Sequence, residues 1–84
     1  MTTTSNQPTR KLRYGRITAA IWRNSTDDGP FYSVTLSRTY RDANGELQNS
    51  TSFSGSDLLV AAQALQDSYR AVSELRESDR EQAV

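Results

Sequence analysis

The chain has 84 residues, and its ten basic and ten acidic side chains give a formal net charge of zero. A chain of this length forms one small domain with a marginal core, and the absence of cysteine and histidine leaves no disulfide or Cys/His zinc site to support it. The same absences exclude Ser-His and Cys-His catalysis, so we expect a non-enzymatic protein, without metal or other cofactor, that is stabilised by oligomerisation.

No segment is predicted to enter a membrane or to direct secretion. The longest apolar run, LLVAA at residues 58–62, is far shorter than the roughly 20 residues that cross a bilayer. The sequence does not open on a basic start followed by a long apolar region and a cleavage site. Together with the missing cysteines, this pattern predicts a cytoplasmic protein with no membrane partner.

Charge is divided between the two halves of the chain. Residues 1–42 carry seven basic and three acidic side chains, a net charge of +4, whereas residues 43–84 carry three and seven, a net charge of −4. If each half forms its own surface in the fold, the basic surface will attract anions within a Debye length of about 8 Å.

The first predicted strand runs from Leu12 to Trp22 and follows a polar segment, residues 1–9, that we expect to be disordered. Its period of two separates an aliphatic core face from a face with two aromatic rings and an arginine. The core face holds Ile17, Ala19 and Ile21, and the opposite face holds Tyr14, Arg16, Thr18, Ala20 and Trp22. Such a composition is unusual for a face that only meets water.

A loop and a second strand are predicted next. Residues 24–30, NSTDDGP, are rich in turn formers, and residues 31–41 are rich in β-branched and aromatic residues. Alternation alone leaves open whether Arg38 and Tyr40 face the core or the opposite side, because a bulge could reset the face.

A hairpin turn and a third strand follow. The dipeptide Asn44-Gly45 within DANGE, residues 42–46, tolerates the positive φ of a tight turn. A hairpin is favoured over a calcium loop because the later bidentate glutamate is absent. Residues 46–53 have a polar middle and predict an edge strand.

A single helix is predicted in the acidic half. Ser54 or Ser56 can cap its N-terminus, where the carboxylate of Asp57 suits the helix dipole. Apolar residues then recur at steps of four and three, the spacing of a helix that packs on a sheet or on another helix. This stripe consists of Leu58, Ala62, Leu65, Tyr69 and Val72. Beyond about Arg76 the stripe ends, and residues 77–84 are expected to form a frayed, charged tail.

These elements predict an α+β domain over residues 10–76, in which a small curved antiparallel sheet of three to four strands is followed by one C-terminal helix. One helix covers only one face of the sheet. Cations that follow phosphates, beside aromatic rings on which bases stack, are the combination that binds single-stranded nucleic acid. The alternative is that Arg10, Lys11 and Arg13 form a solubilising edge while Trp22 closes the core.

Several short segments resemble, in their order and spacing, the single-stranded-DNA-binding transcriptional coactivators called positive cofactor four. KLRY, residues 11–14, is similar to the lysine-apolar-arginine-tyrosine opening of the family's first strand, and Trp22 matches an aromatic at its end after a two-residue insertion. Tyr40 followed by DANGE resembles the aromatic residue and Asp-x-x-Gly-Glu turn after the second strand. AVSEL, residues 71–75, is similar to the end of the family's helix.

The resemblance covers residues 11–76 and implies a dimer joined through its helices, with a curved sheet that binds single-stranded DNA with little sequence preference. By position, it implies phosphate or base contacts from Lys11, Arg13 and Tyr14, and base stacking on Trp22 and Tyr40. Charge and proximity add Arg16, Arg23, Arg38 and Arg41 to the candidate site.

Two features depart from the family and would weaken DNA binding. The segment NSTSFSG, residues 49–55, lacks the family's basic residues, and the loop at residues 24–30 carries Asp27 and Asp28. We expect a non-enzymatic dimer that binds single-stranded DNA, or RNA, in transcription, replication or recombination. The alternative is an oligomeric protein-interaction module whose basic sheet face binds an acidic protein.

Overall fold

The computed structural model describes residues 7–82 of the chain, so most of the predicted N-terminal tail and the last two residues lie outside the described part. Four strands precede one long helix. The strands are β1 (Arg10–Tyr14), β2 (Ile17–Thr26), β3 (Gly29–Arg41) and β4 (Leu47–Ser50), and the helix is α1 (Gly55–Gln82).

The four strands form one open antiparallel sheet in the order β1-β2-β3-β4. The centre is the long β2–β3 hairpin, which pairs from Ile17 opposite Arg38 to Thr26 opposite Gly29. The shorter strands β1 and β4 pair only with the part of this hairpin away from its tip. The predicted α+β class, with a small antiparallel sheet followed by one C-terminal helix, is confirmed.

The predicted first strand is in fact two strands joined by a tight turn at Gly15 and Arg16. Gly15 has φ of 62°, a conformation that costs glycine little. The turn reverses the chain, so that Tyr14 lies opposite Ile17 on the same face of the sheet. The prediction that Tyr14 shares a face with Trp22 is therefore wrong, because a period of two does not continue through a hairpin.

The predicted loop at residues 24–30 is mostly strand. Only Asp27 and Asp28 form the turn, since pairing continues to Thr26 opposite Gly29. Gly29 has φ of 114°, and the Thr26 hydroxyl donates to its carbonyl at 2.7 Å. These two features close the hairpin in two residues and extend it beyond β1 and β4.

The predicted hairpin turn at residues 42–46 is confirmed. The Asp42 carboxylate accepts hydrogen bonds from the backbone N–H of Asn44 and of Glu46, each at 2.9 Å. Gly45 has φ of 81°. The bond from Glu46 is the largest cause that holds the pKa of Asp42 below its ordinary value. The carboxylate is thus engaged in closing the turn between β3 and β4.

The face of the sheet that α1 contacts, called here the covered face, carries the core. Ile17 and Ala19 of β2 pack against Ala61 and Ala64 of the helix, with Leu12, Val34, Leu36 and Phe53 around them. Ser68 is also buried and donates to the Ala64 carbonyl at 2.7 Å. Small residues thus let the helix approach the sheet closely.

The stripe of larger side chains, which the sequence predicted to pack on the sheet or on another helix, is largely exposed. Leu58, Leu65 and Tyr69 have 56%, 49% and 77% of their surface accessible. An Ala/Ser stripe at the same spacing of three and four lies against the sheet in their place. Of the two predicted alternatives, packing on the sheet is therefore not the role of most of this stripe, which leaves Leu58, Leu65 and Tyr69 exposed on α1.

The ends of α1 differ in how well they were predicted. Ser54 precedes the helix, its carbonyl accepts the N–H of Asp57 at 2.9 Å, and its hydroxyl donates to the Asp57 carboxylate at 2.9 Å. At the other end the helix continues past Arg76 to Gln82, where fraying was expected. Asp79 contacts the β2–β3 hairpin and gives the last turns a partner. Within residues 7–82, no helix has the length and apolarity to span a membrane.

Candidate nucleic-acid interface

Strand pairing divides the predicted contact residues between the covered face and the other side of the sheet, called here the open face. Lys11 and Arg13 of β1 lie opposite Ala20 and Thr18, on the same face as Trp22. Along β3 the open face holds every second residue from Phe31 to Arg41. The covered face receives four of the predicted contacts: Tyr14, Arg23, Arg38 and Tyr40.

Arginines converge on a shallow groove at the end of the sheet that holds the turn at Gly15 and Arg16. Arg13, Arg16, Tyr40 and Arg41 line this basic groove, together with uncharged residues of β2, β3 and β4. No carboxylate is among its lining residues. Three guanidinium groups in an acid-free groove form a site for anions such as phosphate.

The open side carries four cations that are not held by a carboxylate of residues 7–82, called here the open-side cations: Lys11, Arg13, Arg16 and Arg41. The first three have no side-chain hydrogen bond or ion pair among the described residues. Arg41 donates to the Gly45 carbonyl at 2.7 Å, which orients its guanidinium without neutralising it. These cations therefore retain their full charge for an external anion.

The arginines of the covered face are, by contrast, engaged with the helix or with the segment before it. Arg23 donates to both carboxylate oxygens of Asp79 at 3.3 and 3.4 Å, which raises the pKa of Arg23. Arg38 donates to the Ser52 carbonyl at 3.0 Å and lies 3.7 Å from the Asp57 carboxylate. Both residues therefore lie on the covered face, where they contact the helix or the segment before it, and not beside the open-side cations.

Two tyrosine–carboxylate pairs also bind the helix to the sheet. Tyr14 donates to Asp67, and Tyr32 donates to Asp79 at 2.6 Å. These bonds are the largest cause that lowers the pKa of each carboxyl group. The Asp67 bond also raises the pKa of the Tyr14 hydroxyl. Tyr14 thus belongs to the helix–sheet contact and is removed from the candidate interface.

These contacts explain where the opposite charges of the two chain halves meet. Carboxylates of the acidic helix neutralise basic residues of the sheet on the covered face, and Glu74 adds a distant pair with Arg10 at 3.8 Å. No helix carboxylate reaches the open-side cations. The chain is neutral as a whole, yet one of its two sheet faces is basic.

Aromatic rings lie on the open face as well. The indole N–H of Trp22 donates to the Thr35 hydroxyl at 3.0 Å, which fixes the ring on that face. Phe31 lies two residues from the pairing partner of Trp22, on the same face, with 51% of its surface exposed. Phe31 was not among the contact residues predicted from the sequence, although its alternation with Ser33 and Thr35 already placed it on one face with them.

Tyr40 has an intermediate position. The sequence left open whether a bulge in β3 turns Arg38 and Tyr40 to the other face. The pairing of β3 is uninterrupted, so the alternation continues and assigns Tyr40 to the covered face. It nevertheless lines the basic groove, and the Arg38 guanidinium lies 5.4 Å from its ring centroid. Its ring is thus at the edge of the interface, with part of its surface in contact with an arginine.

The acidic hairpin turn lies far from the basic groove. Thr18 lines the groove and Thr26 ends β2 at the turn. These positions are separated by about 26 Å along an extended strand. Asp27 and Asp28 therefore do not fold over the groove. The missing basic residues before the helix remain a departure from the family pattern, since β4 contributes Leu47 and Asn49 to the groove but no cation.

Among residues 7–82 there is no group of three or more acidic side chains placed to hold a metal ion. No family model, curated protein or solved structure matches the chain. The candidate interface is therefore defined by its own geometry: a basic groove continued by an open sheet face with two aromatic rings.

Proposed function

We propose that the protein is a non-enzymatic, dimeric single-stranded nucleic-acid-binding protein whose ligand lies on the open face. The observation that carries the proposal is that cations without a carboxylate partner share this face with two aromatic rings, half-buried Trp22 and exposed Phe31. DNA is the proposed ligand because the first strand and the turn after β3 resemble the positive cofactor four family, whose members bind single-stranded DNA.

In the proposed mechanism, the open-side cations neutralise phosphates and release their counterions, which supplies affinity without sequence preference. Bases stack on Trp22, and on Tyr40 at the rim of the basic groove. Each such stack contributes about 1–3 kcal/mol, and it tolerates any base because every base has a π-face. A duplex, whose bases are already stacked, offers only its phosphates and is bound more weakly.

Dimerisation is proposed through the exposed apolar stripe of α1. Leu58, Leu65 and Tyr69 leave a continuous apolar surface on a chain whose own core consists largely of alanine and isoleucine. Leu58, Ala62, Leu65, Tyr69 and Val72 repeat at the 4-3 spacing of helices that pack on each other. A second copy of the helix fits this surface and adds the apolar burial that a small domain lacks.

The test of this proposal is fluorescence anisotropy of a labelled single strand and of the matching duplex across a salt series. Tighter binding of the single strand, weakened by salt, is the expected result. Absence of binding to either nucleic acid at low salt would refute the proposal.

The alternative function, in which the basic face binds an acidic protein, is favoured by one observation. The open-side cations have no carboxylate partner, and they attract a carboxylate of another protein as well as a phosphate. For a homo-oligomer joined in this way, higher salt would dissociate the oligomer itself. Size-exclusion chromatography at two salt concentrations separates this alternative from a dimer joined by apolar helices, which salt does not dissociate.

A further inference from the structure

The open face of β3 carries an unusual series of side chains. Starting at the basic groove, the residues that share this face are Arg41, Thr39, Ser37, Thr35, Ser33 and Phe31. Four consecutive positions are thus Ser or Thr, with a cation at one end and an exposed aromatic ring at the other. The series, called here the hydroxyl lane, spans about 33 Å along the strand.

Neighbouring donors orient two of the four hydroxyl groups. Thr35 Oγ1 accepts the indole N–H of Trp22 at 3.0 Å, and Ser33 Oγ accepts the Asn24 amide at 3.3 Å. Each oxygen is thereby the acceptor of an internal bond, and its own hydrogen is left to donate outward. Hydroxyl groups of Ser and Thr are common donors to phosphate oxygens.

The hydroxyl lane is also free of anything that would repel or block a polyanion. No acidic residue occurs from Gly29 to Arg41, and the paired positions of β2 on this face are Thr18, Ala20, Trp22 and Asn24. Side chains are short between the basic groove and Trp22. Along the lane from the basic groove, Asp27 and Asp28 are reached only beyond Phe31, in the turn at the tip of the hairpin.

Phe31 has no structural role that accounts for its position. Its ring is 51% exposed, lies outside the core cluster and is on the opposite face from the helix. Its backbone position is diagonal to that of Trp22, roughly 7–8 Å away in antiparallel strands, while the Trp22 indole leans toward Thr35 on the other diagonal. The two rings are therefore separate positions along the open face, and each offers a surface on which a base can stack.

We propose that a single-stranded nucleic acid follows the hydroxyl lane from the basic groove to the hairpin arm, which is the part of the β2–β3 hairpin that extends beyond β1 and β4. Thr35 and Ser33 donate to its phosphates, and Phe31 is its terminal base-stacking residue. This inference rests on the proposed function but goes further, because it assigns a path along β3 and a stacking residue that the resemblance to the family does not imply.

The test compares Phe31→Ala with the unaltered protein on two labelled oligothymidines, one of roughly 4 and one of roughly 16 nucleotides, the range of site sizes for single-strand-binding folds. The short strand fits within the basic groove, whereas the long one reaches the arm. Loss of one stack predicts about 5- to 150-fold weaker binding of the long strand. We expect unchanged binding of the short strand, an unchanged salt slope, and recovery in Phe31→Trp.

A second variant tests the lane between the two ends. Ser33→Asp places a carboxylate beside the path and is expected to weaken only the long strand. Leu59→Ala, an exposed apolar position on the helix, is the matched control and should bind both strands normally. Equal binding of the long strand by Phe31→Ala and the unaltered protein would overturn the proposed path while leaving the proposed function intact. Failure of the unaltered protein to bind either strand would overturn both.

Discussion

Replacing single arginines on the two sides of the sheet should separate cations that contact nucleic acid from cations that hold the helix. Each phosphate neutralised on a single strand contributes about 0.7 to the slope of log K against log salt concentration. The four open-side cations predict a slope of about −2.8 for one copy. If Arg23 and Arg38 also contacted phosphates, as their charge first indicated, the slope would be about −4.2.

The perturbation is Arg16→Gln, with Arg23→Gln as its matched control. We expect Arg16→Gln to reduce the slope to about −2.1 without changing the thermal midpoint, because its side chain has no partner among residues 7–82. Arg23→Gln should leave the slope unchanged and lower the midpoint, because Asp79 loses its bidentate partner.

Anisotropy of a labelled oligothymidine across a salt series gives the slope, and circular dichroism gives the midpoint. An equal reduction of the slope by both variants would mean that Arg23 leaves Asp79 to bind phosphate. That outcome would refute the division of the arginines between the two faces.

Three further predictions concern the helix and the open face. Hydrogen bonds from tyrosines lower the pKa of Asp67 and Asp79, so each carboxylate stabilises the fold above its unfolded pKa of about 3.9 and loses that contribution as pH falls through the lower folded pKa. The thermal midpoint should therefore fall between roughly pH 5 and pH 2, and it should fall less in Asp67→Asn; equal falls would contradict the role of this pair. Trp22→Ala should weaken single-strand binding by about 1–3 kcal/mol with little change in far-ultraviolet circular dichroism, whereas unfolding would assign the ring to the core. Leu65→Glu should convert the dimer to a monomer in sedimentation velocity, and Val60→Glu, which 3.6 residues per turn places on the opposite side of α1 from the stripe, should not; dissociation by both or by neither would refute the helix contact.

Much of the local structure follows from the sequence because its causes are local. Alternation of apolar and polar residues marks the strands, and the Asp42 turn forms from residues four positions apart. Ser54 caps the helix through Asp57, three residues later. Each of these interactions joins neighbours in the chain, so a residue pattern is sufficient to predict it.

The chain reversal at Gly15 was harder to predict because ITAAI, like KLRY, continues a β pattern across it. A two-residue turn leaves no mark in the residue composition of the segment. It nevertheless moves each residue of β1 to the face of the sheet opposite to the one that uninterrupted alternation predicts. This one turn moved Tyr14 from the open face to Asp67 on the helix. Only pairing of the strands in space reveals such an exchange.

By itself, the sequence determined the fold class, the presence of one C-terminal helix after an antiparallel sheet, and the division into a basic and an acidic half. The tertiary structure decided which cations remain free and which stripe of the helix is buried. Two stripes, one small and one large, repeat at the same spacing, and periodicity does not distinguish them. In the rotation that the helix adopts, Ala61 and Ala64 pack on the sheet, Asp67 contacts Tyr14 and Asp79 contacts Tyr32. That rotation buries the small stripe, neutralises the covered face and leaves the basic charge on the open one.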